Sequence, residues 1–223
     1  MTGQSDQVSE SGQAPEPRPA DAETFWDRRY ADQNKVWSGR VNPVLADVAS
    51  RLEVGTALDL GCGEGGDSVW LAGMGWRVTG VDISRTALAR AERAAADAGV
   101  GSRISFEQYD LAADFPSGSF DLVSAQFLHS PMEFPHADVL RRAAQAVVPG
   151  GRLLVVEHGA PPPWMTDHDH PPFAPVQQTY DELELNADYW RTERLATAER
   201  EATGPDGQAG RLLDNIILVC RLA

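Results

Sequence analysis

At 223 residues the chain is long enough for one core of ordinary domain size plus a tail. Its 33 acidic against 19 basic residues give a formal charge of −14, which argues against a nucleic-acid backbone or an anionic membrane as the main partner. No apolar run reaches the roughly 20 residues that cross a bilayer, and the first residues lack a signal-peptide core. Cys62 and Cys220 are too few for a disulfide scaffold, so a reduced, cytoplasmic setting is expected.

Residues 1–20 are rich in Gln, Ser, Gly, Pro and Glu with almost nothing apolar to bury, so a disordered tail is expected there. From Asp21 to Tyr30 the pattern changes: Ala22, Phe25, Trp26 and Arg29/Tyr30 recur at helical spacing and predict a short amphipathic helix. Asn42 and Pro43 open a second helix with Leu45, Val48, Ala49 and Leu52 on one face.

The stretch from Thr56 to Asp82 organises the rest. Ala57 to Leu60 reads as a strand buried on both faces of a parallel sheet. Gly61, Gly63, Gly65 and Gly66 then form a turn without side chains, which lets the backbone approach a ligand just where the next helix, Asp67 to Met74, presents unpaired N–H groups. Arg77 to Val81 is a second strand that ends in Asp82. A carboxylate about 20 positions past the first glycine can accept hydrogen bonds from both hydroxyls of a ribose. The unit therefore predicts a nucleoside-bearing cofactor at the carboxyl ends of a parallel sheet.

Gly61, Gly63 and Gly66 also satisfy the dinucleotide pattern G-x-G-x-x-G, so a nicotinamide cofactor is an alternative. Asp59 shifts the balance, because a carboxylate at the mouth of the strand suits a ligand that carries an amino group and a sulfonium better than a pyrophosphate. Asp59-Leu60-Gly61-Cys62-Gly63-Glu64-Gly65 resembles the first motif, D/E-x-G-x-G-x-G, of the class I S-adenosylmethionine-dependent methyltransferases. The lead-in Phe25-Trp26-Asp27-x-Arg29-Tyr30, followed by Trp37, is similar to that of the small-molecule thiopurine and tellurite-resistance branch.

The resemblance implies a fold: a Rossmann-like α/β sheet of seven strands in the order 3-2-1-4-5-7-6, parallel except for strand seven, with helices on both faces. It implies one methyltransferase domain over residues 21–223, with 21–52 as a helical lead-in or lid. It also implies S-adenosyl-L-methionine as cofactor, held by Asp59, Gly61, Gly63, Gly65, Asp82 and the adjacent Ile83. Tyr30 and Trp37 are candidates for its methionine end, and Gln126 for the neighbourhood of the reactive methyl.

Ser84 is a good N-cap for a helix from Arg85 to Ala98, and Ile104 to Gln108 reads as the third strand. Tyr109-Asp110-Leu111 follows, where the superfamily commonly holds the adenine; Asp110 can accept its exocyclic amino proton and the Leu111 N–H can donate to a ring nitrogen. Phe120 to Ala125 is the fourth strand. Ser124-Ala125-Gln126-Phe127 lacks the Asn/Asp-Pro-Pro-Tyr motif of relatives that methylate planar nitrogens in DNA or protein, which points to other acceptors.

Pro135 to Val147 predicts a helix that Pro149-Gly150-Gly151 separates from the fifth strand, Arg152 to Glu157. Residues 158–178 have no regular period and are assigned to the acceptor pocket or its lid. Thr179 to Leu185 reads as a short helix with a Thr N-cap and Glu182 at the capping-box position. Trp190 to Arg200 and Leu212 to Leu222 predict an antiparallel hairpin with a long tip at Gly204-Pro205-Asp206-Gly207.

All five histidines lie between positions 129 and 170. His158, His168, Asp169 and His170 could supply metal ligands, yet the loop spacing favours no metal. Transfer to a protonated nucleophile requires its proton to leave, so His129, past strand four, and then His158, past strand five, are the candidate bases. The resulting expectation is an enzyme that methylates S, O or N of a small molecule, as a monomer or homodimer, without nucleic-acid or membrane partners. The alternatives are a nicotinamide-dependent oxidoreductase and a non-catalytic cofactor-binding protein.

Overall fold

A computed structural model of the protein describes residues 21–33, 36–165, 173–204 and 207–223. The expected disordered tail lies outside the described residues, as do His168, Asp169 and His170 of the histidine-rich loop.

Two helices lead in. α1 (Ala22–Ala31) starts where the Asp21 carboxylate accepts the Thr24 N–H at 2.7 Å, and α2 (Pro43–Ala49) starts where Asn42 Oδ1 accepts the Val44 N–H at 2.8 Å. Only Tyr30 of α1 is fully buried; Phe25 and Trp26 are half-buried. Then strands and helices alternate: β1 (Thr56–Leu60), α3 (Gly66–Gly73), β2 (Arg77–Asp82), α4 (Arg85–Asp97), β3 (Ile104–Gln108), β4 (Phe120–Gln126), α5 (His136–Gln145), β5 (Val147–His158) and α6 (Val176–Glu182). The chain closes with β6 (Trp190–Thr203) and β7 (Ala209–Arg221).

All seven strands form one sheet in the order β3-β2-β1-β4-β5-β7-β6, in which β7 runs antiparallel to both its neighbours. Burial explains the apolar runs. Leu58, Leu60, Val123, Leu153 and Val155 pack on the α5 and α6 face, while Ala57, Leu122, Leu154 and Val156 pack on the opposite face with Leu45, Leu71 and Ala95 of α2, α3 and α4. Successive residues of a central strand therefore both leave water, each Leu or Val contributing about 1.5–3 kcal/mol, so no polar alternation survives in the sequence.

Several boundaries differ from the expectations. Pro149-Gly150-Gly151 does not separate α5 from the fifth strand: pairing begins at Phe120 with Val147, shifts register, and resumes at Leu122 with Arg152, so these residues form an irregularity inside a longer β5. α6 begins after Pro175 rather than at Thr179, because Thr179 is interior to the helix and its hydroxyl donates to Glu157 Oε2 at 2.9 Å instead of capping. That removes 176–178 from the supposed loop. β6 and β7 pair out to Thr203 with Ala209, which makes the hairpin long and its tip short.

Candidate active site

The glycine turn sits at the carboxyl end of β1. The Cys62 N–H donates to the Val81 carbonyl and the Gly63 N–H to Asp82 Oδ2, both at 2.9 Å, so the turn is stitched to the mouth of β2. Gly65 caps α3 in the left-handed region at φ 81°, and a β-carbon there would lie 2.8 Å from that of Ala91 in α4. Glycine is therefore required both by conformation and by the close approach of α4.

Three carboxylates converge on this turn. Asp59, 2% exposed, accepts the Ser68 hydroxyl at 2.6 Å; Asp67 accepts the Asn42 N–H at 2.6 Å; Asp82 also accepts the Ser84 N–H at 2.9 Å. Burial raises the pKa of Asp59, with Asp67 and Asp82 adding to the effect, and burial likewise raises Asp67. Asp82 is pushed up to about 6 because burial outweighs its backbone donors. A cluster of reluctant anions suits a ligand that brings positive charge.

The lead-in closes over the turn. Glu64 Oε2 accepts the Val36 and Trp37 N–H groups at 3.1 and 2.9 Å, and its Oε1 pairs with Arg90 at 2.8 Å. Arg90 reaches back to the carbonyls of Tyr30 and Gln33, while Asp27 accepts from Ser84 Oγ at 2.5 Å and from the Thr86 N–H at 3.1 Å. Trp37 Nε1 donates to the Tyr30 hydroxyl at 2.9 Å, and both groups lie over Gly63. Burial first, and Asp82 second, pushes the Tyr30 phenol up, so it stays protonated.

Of the other expected cofactor residues, Ile83 follows Asp82 and its carbonyl accepts from Gln108 Nε2 at 3.0 Å. Exposed Asp110 follows β3, where Oδ1 accepts the Ala112 N–H at 3.0 Å, and the Leu111 side chain is buried in the core. Gln126 ends β4, and its Nε2 donates to Ser124 Oγ at 2.8 Å. A concavity of about 600 Å³ bounded by Thr56, Arg77, Ile104 and Phe120 lies at the amino ends of the strands and so away from this chemistry.

The opposite side of the turn begins at Phe127, a non-glycine residue at φ 53°. That strained turn places Leu128 over Gly61, where a β-carbon would lie 2.7 Å from Leu128 Cδ1. Beyond it, His129 and His136 stack with centroids 5.6 Å apart, His158 stacks on Phe127 at 4.4 Å, and Arg200 lies 5.6 Å over the Phe127 ring. The two expected base candidates thus meet, with ring centroids 6.3 Å apart.

Sequence reasoning missed His136 and Glu157 as members of this group. His136 Nε2 lies 2.9 Å from Glu157 Oε1, and His129, His136 and Glu157 each offer a ligand atom within 4.8 Å of the others. A signal existed: Glu157 ends the run Leu153-Leu154-Val155-Val156, and a carboxylate buried on such a strand needs partners. Burial alone would raise its pKa, but His136, Thr179 and His129 reverse that and hold it below the usual range. Desolvation lowers the pKa of His129, opposed by Glu157, although the residue as a whole is exposed. His158 falls to about 4 through burial, then His129 and Arg200.

Among the described residues, Gln126 Oε1, His158 Nδ1 and Asp214 Oδ1 are buried here without a hydrogen-bond partner, and His136 Nε2 and Glu157 Oε1 have only each other. Asp214 pairs across the sheet with His158. Such orphans are uncommon in folded proteins, and their concentration marks a place that a polar ligand completes.

Residues 57–151 match the family described as "Methyltransferase domain". That stretch carries a methyltransferase domain of the class I S-adenosylmethionine-dependent kind. The 27-O-demethylrifamycin SV methyltransferase of Amycolatopsis mediterranei (strain S699) is 34% identical over 134 residues, covering 59% of this chain and 48% of its own. The chain thus spans about half the length of that relative. Thiocyanate methyltransferase 1 of Arabidopsis thaliana is 26% identical over 181 residues, 75% of this chain and 78% of that one. A solved structure described as "Conversion of a Disulfide Bond into a Thioacetal Group during Echinomycin Biosynthesis" superposes with a TM-score of 0.67 at 24% identity, covering 90% of this chain and 91% of that one, and so shares its fold. S-adenosylmethionine is the cofactor of the family, and the glycine turn with its buried carboxylates fits the cationic end of that molecule. The nicotinamide alternative falls away with the family.

Proposed function

We propose that the protein transfers a methyl group by in-line displacement from S-adenosylmethionine to sulfur, oxygen or nitrogen of a small-molecule acceptor. The observation that carries this reading is the gathering of the orphaned atoms of Gln126, His158 and Asp214 with the His129, His136 and Glu157 cluster, at the same end of the sheet as the glycine turn. Cofactor chemistry and a polar acceptor would then meet across Leu128 and Gln126.

When bound, the cofactor's sulfonium supplies an already activated methyl group. The chain's tasks are to hold, align and exclude water. Asp59 faces the cofactor's amino group, Asp82 with Ile83 takes the ribose, and Asp110 with Leu111 takes the adenine. Tyr30 and Trp37 close over the methionine end, and Gln126 borders the methyl. His129 accepts the proton that the acceptor loses. His158, with a pKa of about 4, is the weaker base of the two and serves better to line the pocket. The named relatives support a small acceptor, one by its rifamycin substrate and another by thiocyanate. Cys62 and Cys220, both free, support a reduced, cytoplasmic setting.

The test is incubation with isotopically labelled S-adenosylmethionine and a panel of phenols, thiols and amines, read by mass spectrometry. A product heavier by one labelled methyl group, formed more slowly by His129→Ala, is the expected result. Binding of S-adenosylhomocysteine without transfer to any panel member would overturn the catalytic reading in favour of a non-catalytic binder.

A further inference from the structure

We propose that His129, His136 and Glu157 bind one divalent transition-metal ion at the acceptor end of the sheet. A His136–Glu157 ion pair alone would account for the short contact, but not for the convergence of His129 on the same point. His136 Nε2 and Glu157 Oε1 are buried 2.9 Å apart and have only each other as polar partner, while His129 brings a third ligand atom within 4.8 Å of both. Neighbouring ligands of one octahedral ion with bonds of about 2.1 Å lie roughly 3 Å apart, which this pair already matches.

The surroundings are those of a built ligand set. The second oxygen of Glu157 accepts the Thr179 hydroxyl at 2.9 Å, which orients the carboxylate so that Oε1 faces His136. His136 opens α5 and Glu157 lies near the end of β5, so two rigid elements hold the pair. His129 is exposed and lies on the strained turn after β4, with its ligand atom within 4.8 Å of the other two. It is the ligand that closes on the ion. Two imidazoles and one carboxylate favour zinc, cobalt, iron or manganese over magnesium or calcium, which prefer oxygen alone.

An ion held by three protein ligands keeps positions for the acceptor, so this inference rests on the methyltransferase reading and narrows it. The acceptor class is a small molecule that presents a hydroxyl or thiol to the ion. Coordination lowers the pKa of that group, its proton passes to water instead of to His129, whose ring is then a ligand and no longer the base, and the oxyanion or thiolate remains as nucleophile.

The experiment uses the whole chain, freed of metal by chelation and dialysis, and titrated calorimetrically with Zn2+. Co2+ is added in parallel as a spectroscopic probe, and S-adenosylhomocysteine is titrated into the same preparations. One Zn2+ per chain, visible cobalt bands, and affinity reduced at least about tenfold in His136→Ala and in the exposed variant His129→Ala would support the site. Zn2+ binding no tighter than millimolar by the parent protein, or binding that both variants retain in full, would overturn it. Because S-adenosylhomocysteine binding is read separately, loss of the metal site leaves the methyltransferase reading standing. Absence of S-adenosylhomocysteine binding would strike that reading instead.

Discussion

At the carboxyl ends of β1 and β2 no buried side-chain polar atom is orphaned among the described residues, whereas those of Gln126, His158 and Asp214 are orphaned around the mouths of β4, β5 and β7. The first region satisfies itself: Asp82 holds Gly63 and Ser84, Asp59 holds Ser68, and Glu64 with Arg90 straps the lead-in across the turn. The second leaves Gln126, His158 and Asp214 with unmet demand around a strained Phe127. The difference teaches a division of labour. A site for an invariant cofactor can be completed in advance by the backbone, while a site for the acceptor keeps hydrogen-bonding capacity in reserve.

Breaking the self-satisfied side should cost stability. Gly65→Val puts a β-branched residue at φ 81° with its β-carbon 2.8 Å from Ala91 Cβ and 3.2 Å from Ala91 Cα, and should lose about 3 kcal/mol or more in urea unfolding. Gly61→Ala meets only the flexible end of Leu128, so about 1–2 kcal/mol is expected. Equal losses at both positions would show that α4 does not brace the turn.

A second test sharpens the contrast through pH. The folded pKa of Asp82, about 6, exceeds its ordinary 3.8, so its stabilising, protonated form is fully present below about pH 4 and lost as pH rises through 6. The ligand-free protein should give up on the order of 3 kcal/mol to this group across that window. Asp59 and Asp67, also raised, act in the same direction. Thermal melts of the parent and Asp82→Asn should converge towards pH 4 and separate above pH 6, with the variant the more stable at neutral pH; parallel curves would contradict the burial penalty.

On the open side the expectation reverses. His129→Ala, at an exposed position, should change unfolding free energy by no more than about 0.5 kcal/mol yet lower kcat about 100-fold. A large stability loss would make His129 a packing residue. A modest effect belongs to the strap: Arg90→Ala should cost about 1 kcal/mol while speeding hydrogen exchange at the Val36 and Trp37 amides, which Glu64 holds.

The same contrast decides what could be read in the sequence. Asp59, Gly61, Gly63, Gly65 and Asp82 lie in one continuous unit whose backbone requirements are written as glycines and a strand-ending carboxylate, so fold and cofactor were legible there. The proposed acceptor end draws on His129, His136, Glu157, Arg200 and Asp214 from separate elements, and no local spacing announces that they meet. Thr179 shows how a local rule misleads: its hydroxyl and Glu182 suggest a capping box, but a buried Glu157 claims the hydroxyl, and Pro175 starts the helix instead. The β6–β7 hairpin was legible in kind but not in length, because pairing continues past Arg200 through Glu201, Ala202 and Thr203 on an edge strand that faces water.

The central claim is that a cofactor site organised by Asp82 lies beside an acceptor site organised by the histidine cluster. Calorimetric titration of S-adenosylhomocysteine into the parent protein, Asp82→Ala and His129→Ala tests it most directly. Micromolar binding by the parent and by His129→Ala, with at least about 100-fold loss in Asp82→Ala, is the predicted result. Equal binding by Asp82→Ala, or no binding by the parent, would contradict the account.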